Sequence, residues 1–267
     1  MKVGIAGLGA IGSKVAGTID AGAIAGMQLA AVCSGSADNA RRRMKHFRSL
    51  PEIVTAEELA GICDIVVDCA PKAAFREIAE PVLGAGRVLV TVSGAAILDN
   101  PDVIELAREN GGRIVLATGA LLGLDAIRAA SEGKIYSVRM VTRKPPRSLA
   151  GAPYLLEHEI DVESFTEAKQ VFSGTAAEGA RGFPSNVNVA AAFGLAGIGA
   201  DRTTLEIWVD PALERNTHTI VVDADSASFE MKIENIPVEE NPGTGRITAL
   251  SVIAALRGET ASFRAGS

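Results

Sequence analysis

Over the first part of the chain, short runs of apolar and β-branched residues alternate with stretches of helical periodicity. Residues 3–6 form such a run, followed by a helical pattern over 10–23, a second strand at 28–33 and a polar helix at 38–47. The rhythm continues with a buried strand at 65–69, a helix at 73–83, a strand at 87–92, a helix at 101–109 with Asn100 as its cap, and a strand at 113–117. Short apolar strands separated by helices predict an α/β unit: a Rossmann-type parallel sheet covered on both faces, ending near Thr118.

The period then changes. A helix is expected at 123–130, and after it come runs that alternate residue by residue: 136–142, 204–209, 217–223 and 228–234. Period-two alternation predicts a largely antiparallel sheet with one face covered, hence a second, α+β domain for substrate and oligomerisation over 119–245. A last helical pattern, 246–257, is free to pack back on the first domain, 1–118.

Composition narrows the function classes. The 267 residues are 48% hydrophobic and 22% charged, an ordinary globular balance. A net charge of −6, with no basic stretch interleaved with aromatics, argues against nucleic acid as a partner. No apolar run reaches the roughly 18–20 residues that a bilayer span requires, and the start lacks a signal pattern, so no membrane partner and a cytoplasmic location are expected. Cys33, Cys63 and Cys69 have neither zinc-knuckle nor CxxC spacing, and His46, His158 and His218 are far apart. Reduced thiols and no metal are expected.

The strongest local signal is Gly7-x-Gly9-x-x-Gly12 between the first strand and the first helix. In this context the first glycine permits the tight turn, the second lets backbone approach a pyrophosphate, and the third lets helix and strand pack closely. The helix start, with Ala10 and Ile11, offers unpaired N–H groups to the phosphates. NAD or NADP is the cofactor expected. An acid that would bind the ribose hydroxyls is missing after the second strand, where Cys33, Ser34, Gly35 and Ser36 stand. Ser34 suits either dinucleotide; Arg41, Arg42 and Arg43 are candidates for a 2′-phosphate, although a solvated helix face is the commoner meaning of such a run. Ala70, Ser93, Gly94, Gly119 and Ala120 follow later strands, at the carboxyl ends where ligands sit in such sheets.

In the second half, Asn186 and Asn188 precede an apolar helix as caps, or Asn188 bonds a nicotinamide carboxamide. His218, opening a strand in Asn216-Thr217-His218, is a side chain able to exchange a proton near neutral pH.

Taken together, GLGAIG (7–12), TGALLGLDAI (118–127), TRK (142–144), FPSNVNVAA (183–191), NTH (216–218) and IENIPVEENPGTG (233–245) resemble the L-aspartate dehydrogenase family over nearly the whole chain. The resemblance implies NAD(P)-dependent oxidation of L-aspartate to iminoaspartate, which yields oxaloacetate and ammonia or feeds NAD synthesis. It also implies that His218 is catalytic and that Ala120 and Asn188 contact the cofactor. Thr118, Leu121 and Leu122 depart from the family's usual SGAIGGLDA.

Such a reaction needs two anchored carboxylates and an uncharged amine. Arg143 and Lys144 are the expected carboxylate ligands, with Thr175 as a hydroxyl donor and Asn188 lining the substrate. His218 is the expected proton acceptor, from the ammonium or from the water that attacks the imine. Glu239 and Glu240 read as loop structure. The alternatives are a homoserine dehydrogenase or dihydrodipicolinate reductase relative, or a regulator that keeps the fold without catalysis. A two-fold homodimer through the second sheet is the simplest assembly.

Overall fold

The structure is a computed structural model that describes residues 1–184 and 187–266. It divides into two compact units, Met1–Ala117 with Ala249–Ala265, and Thr118–Thr248. In chain order the first unit contains β1 (Lys2–Ala6), α1 (Ala10–Asp20), β2 (Gln28–Cys33), α2 (Ala37–Arg43), β3 (Glu52–Ile53), α3 (Ala56–Ile62) and β4 (Ile65–Asp68). It continues with α4 (Phe75–Gly84), β5 (Val88–Thr91), α5 (Gly94–Asp99), α6 (Asp102–Asn110) and β6 (Arg113–Leu116). The second holds α7 (Leu124–Ser131), β7 (Ile135–Lys144), α8 (Pro153–Glu157), β8 (Lys169–Thr175), α9 (Ala176–Gly182), α10 (Asn188–Ala196), β9 (Thr203–Val209), β10 (Asn216–Ala224), β11 (Ser228–Asn235), β12 (Pro237–Val238) and β13 (Asn241–Gly245). The last helix is α11 (Ile247–Thr260).

In the first unit six parallel strands run in the order β3-β2-β1-β4-β5-β6, so the winding reverses between β1 and β4. That reversal opens a crevice at the carboxyl ends of those strands. The helices are held by their apolar stripes: Gly12, Val15, Ala16 and Ile19 of α1 are buried, an i, i+3, i+4, i+7 face. The same spacing puts Ala249, Val252, Ile253 and Leu256 of α11 into this unit's core, beside Val3, Ile5 and Val32.

The second sheet has the order β11-β10-β7-β9-β8. Its pairs are antiparallel except β7 with β9, which run parallel because the chain leaves β7, forms edge strand β8, and returns through α9 and α10. One face is covered by helices: a side chain added at Gly179 of α9 would meet Leu205 of β9 at 2.5 Å. The opposite face carries Arg139, Arg143, Glu206 and Trp208.

Several elements lie outside the periodic reading. α3 is marked by a capping box, with Thr55 and Glu58 exchanging side-chain and backbone hydrogen bonds. β8 is an edge strand whose alternation is weak, and α9 is too short for a helical stripe. Asn100 does not cap α6, whose N-cap is Pro101; its Nδ2 instead donates to Ala96 O and closes α5. The polar helix is shorter than its pattern, ending at Arg43 with Met44 as cap.

Because Leu256 is fully buried in the first unit's core, Leu256→Ala should lower unfolding free energy by about 2–5 kcal/mol in chemical denaturation. A change near zero would show that α11 is dispensable to that core.

Candidate functional site

The two units each hold part of the expected chemistry. In the first, Gly7 has φ +89°, a conformation that L side chains rarely adopt, and its N–H donates to Cys33 O at 2.8 Å. A Cβ there would lie 2.7 Å from the backbone of Cys69 and Ala70, and a Cβ at Gly12 would lie 1.9 Å from Gly7 O. Strand, turn and helix therefore touch along bare backbone. Gly9 faces open space, with nothing within 4 Å of a Cβ, and as the N-cap of α1 it has no side-chain cap bond. The N–H groups of the first turn, where Ala10 and Ile11 stand, are thus left for an anion, and the residues present fit a dinucleotide pyrophosphate.

The sheet register aligns Cys33, Ala6, Asp68 and Thr91 across β2, β1, β4 and β5. It brings the turns bearing Gly7, Ser34, Ala70, Ser93 and Gly94 to one sheet edge. Ser34 Oγ donates to Ser36 O at 3.2 Å within its own turn. Arg41 pairs with Asp38 at 3.2 Å and Arg42 with Asn39, both on exposed helix surface.

The residue that sequence reasoning missed here is Asp68, 1% exposed. Thr91 Oγ1 donates to its Oδ2 at 2.8 Å, Ala70 N–H to its Oδ1 at 3.1 Å, and Ser93 N–H to Thr91 Oγ1 at 3.0 Å. Asp68 so ties the turns after β4 and β5 together. Burial pushes its carboxyl up to about 6 against these stabilising hydrogen bonds. A charged residue closing an apolar strand, IVVD, was the available signal.

In the second unit, His218 is the third residue of β10 and lies opposite Thr142 of β7, with Nδ1 3.0 Å from Thr142 Oγ1. Directly opposed residues share a face, and alternate residues along a strand do too. Thr142, Lys144, Asn216 and His218 therefore all lie on the helix-covered face, where His218 is 2% and Lys144 3% exposed. Burial pulls the Lys144 ammonium down to about 8. Burial, and then the Lys144 charge, pull the His218 imidazole down to about 3, so the ring is neutral. Its Nδ1 contact with Thr142 fixes the orientation of the ring.

Arg143 does not join them. Adjacent strand residues point to opposite faces, so only one of Arg143 and Lys144 can reach His218. Arg143 lies on the other face, 5.1 Å from the centre of the Trp208 ring and 3.6 Å from Asp210 Oδ2. Thr175 is also elsewhere: it caps α9 in a reciprocal box with Glu178 at the far edge strand, so its hydroxyl accepts the Glu178 N–H at 3.1 Å.

Gly119 and Ala120 lie in the turn before α7, with Gly119 at φ +68°. Asn235, at the end of β11, donates from Nδ2 to Ala120 O at 2.9 Å and lies opposite Asn216. This bond brings the turn to the strand end beside His218. Asn188 is the first residue of α10, whose N-cap is Val187 with no side-chain cap bond, so Asn188 is not a cap. Asn186 lies outside the described residues. Among the described residues, no group of three or more His, Cys, Asp or Glu could hold a metal, and no helix is long and apolar enough to cross a membrane.

Comparison with known proteins gives two family matches: "Aspartate dehydrogenase, C-terminal" over residues 125–259, and "Homoserine dehydrogenase, NAD binding domain" over residues 7–117. The chain is 49% identical over 267 residues to the L-aspartate dehydrogenase of Bradyrhizobium diazoefficiens, covering 100% of this chain and 94% of that one. It is 39% identical over 261 residues to that of Methanosarcina mazei, with 96% of each covered. Among solved structures, aspartate dehydrogenase from Thermotoga maritima superposes with a TM-score of 0.74 at 23% identity, covering 100% and 99% of the two chains. A hyperthermophilic archaeal homoserine dehydrogenase in complex with NADPH gives 0.59 at 15%, with the same coverage. At those identities the two structures speak for the fold.

The raised Asp68 carboxyl has a signed consequence. Its folded-state value, about 6, lies above the ordinary 3.8. The native state therefore binds the proton more tightly, and stability falls as pH rises from about 4 to about 6. Asp68→Asn should remove that fall, on the order of 2–3 kcal/mol, from the pH profile of denaturant unfolding. An unchanged profile would mean that Asp68 ionises without penalty.

Proposed function

The chain belongs to the L-aspartate dehydrogenase family, and from that membership we propose that it oxidises L-aspartate with NAD or NADP, releasing iminoaspartate that hydrolyses to oxaloacetate and ammonia. The observation that carries the reading is the polar group of Lys144, Thr142 and His218 buried together on the helix-covered face of the second sheet. When bound, the nicotinamide accepts the substrate's Cα hydride. The protein's part is to orient the dicarboxylate and to manage the proton.

Lys144 supplies the positive charge for one carboxylate, in a setting where little water screens it. A carboxylate at Lys144 also offsets the charge that depresses His218, raising the basicity of the ring when substrate is present. Nε2 of His218 then takes the proton of the substrate ammonium, or that of the water attacking the imine. In the first unit, Gly7, Gly9 and Gly12, with the Asp68-braced turns, hold the dinucleotide. Neither an acid after β2 nor unengaged neighbours of Ser34 select NAD over NADP, so both are assigned.

The assignment extends to assembly and place of work. The uncovered sheet face, with Arg143 stacked on Trp208, is the surface we assign to a two-fold dimer, checked by mass in solution. Cys33, Cys63 and Cys69 are free thiols, the state of a reducing cytoplasm.

Steady-state oxidation of L-aspartate, measured with NAD and NADP in parallel and with homoserine as a control, tests the reading. Turnover of homoserine without any of aspartate would overturn it. His218→Ala should retain dinucleotide binding while kcat falls about 10²- to 10⁴-fold; undiminished turnover would remove His218 from the reaction. Lys144→Met should raise the KM for aspartate at least tenfold, and Arg143→Ala should leave it within about twofold. The reverse ranking would place the carboxylate on the other sheet face.

A further inference from the structure

Asn235 is a buried carboxamide, 3% exposed, at the end of β11. Its orientation is set, because Nδ2 donates to the Ala120 carbonyl at 2.9 Å and a carbonyl accepts only from the nitrogen. Oδ1 is then an acceptor, and it has no hydrogen-bond partner among the described residues. A buried acceptor without a donor is costly enough that native proteins rarely keep one without a use. Gly245 packs directly against this side chain: a Cβ there would stand 2.7 Å from the oxygen, so only a glycine fits beside it.

The oxygen also lies in the right place. Asn235 is opposite Asn216, two residues before His218 on β10, and His218 itself is opposite Ile233. Asn235 and His218 are thus diagonal neighbours on one face, with Cα atoms roughly 7–8 Å apart. Lys144, on the next strand, shares that face.

We infer that Asn235 is a substrate-binding residue whose side-chain oxygen accepts a hydrogen bond from the α-amino group of the amino acid handled by His218 and Lys144. The inference rests on the aspartate reading. Ionised carboxylates only accept hydrogen bonds, so the amino group is the one part of L-aspartate able to satisfy Oδ1. The same bond holds the amine beside His218, where its proton leaves. Ala120 then has an indirect part: its carbonyl turns Asn235 so that the oxygen, and not the nitrogen, meets the substrate.

The test compares L-aspartate with oxaloacetate, which has the two carboxylates and no amine. In Asn235→Ala, kcat/KM for aspartate should fall about 10- to 100-fold, while product inhibition by oxaloacetate and the KM for the dinucleotide stay within about twofold. Equal losses for aspartate and oxaloacetate would reduce Asn235 to a brace for the Ala120 turn and overturn the inference. So would a loss confined to the dinucleotide, which would give Oδ1 to the cofactor carboxamide. If thermal melting shows that the alanine variant does not fold, Asn235→Ser carries the test. Its hydroxyl retains a donor but is too short to hold both Ala120 and the amine, so kcat/KM for aspartate should again fall about 10-fold while oxaloacetate inhibition stays within about twofold. Equal weakening of both would overturn the inference. A wild-type enzyme inactive on aspartate is a different result, since it removes the reading beneath the inference, whatever the variants do.

Discussion

The pleat of a β-strand sends consecutive side chains to opposite faces, and the chemistry of the second unit depends on that alternation. Along β7, Thr142 and Lys144 turn to the helix-covered face and Arg143 to the other. Along β10, Asn216 and His218 turn the same way as Lys144. A shift of one residue in either strand would separate lysine from histidine by the thickness of the sheet. The antiparallel register of β7 and β10, held over seven consecutive Cα partners, is what makes four polar residues a cluster.

Placing such residues in an apolar setting sets their protonation. The imidazole stays neutral because it is buried next to a cation, and the cation is itself weakened by burial. Neither group would be so poised on the surface. Burial and the neighbouring lysine thus act in the same direction on the histidine, and a change in charge beside Lys144 is felt at the ring.

The first unit works by the absence of side chains. At Gly7 and Gly12 the turn, the helix and the strand after it approach more closely than a Cβ allows, and at Gly9 the helix start is left open. Asp68 then fixes the neighbouring turns through Thr91 and Ala70. Its cost is a buried carboxyl held away from its ordinary ionisation, a form of strain found where backbone must be positioned for a ligand.

Much of this was legible in the chain itself. The glycine spacing, the alternation of strands and helices and the change of period near Thr118 are local features, determined by local sterics and periodicity; the motif around His218 was legible only through its resemblance to a family. The last helical pattern, 246–257, was likewise legible as a helix, whereas its burial against the first unit's core was not. The sequence could not say which of Arg143 and Lys144 joins His218, because that depends on which face the helices cover. Nor could it show that Thr175 is taken up by a helix cap, that Asp68 bridges two turns, or that Asn235 turns its oxygen free by bonding Ala120, 115 residues away. Those are pairings between distant segments, and only the packing of strands and turns against one another brings such partners within hydrogen-bonding distance.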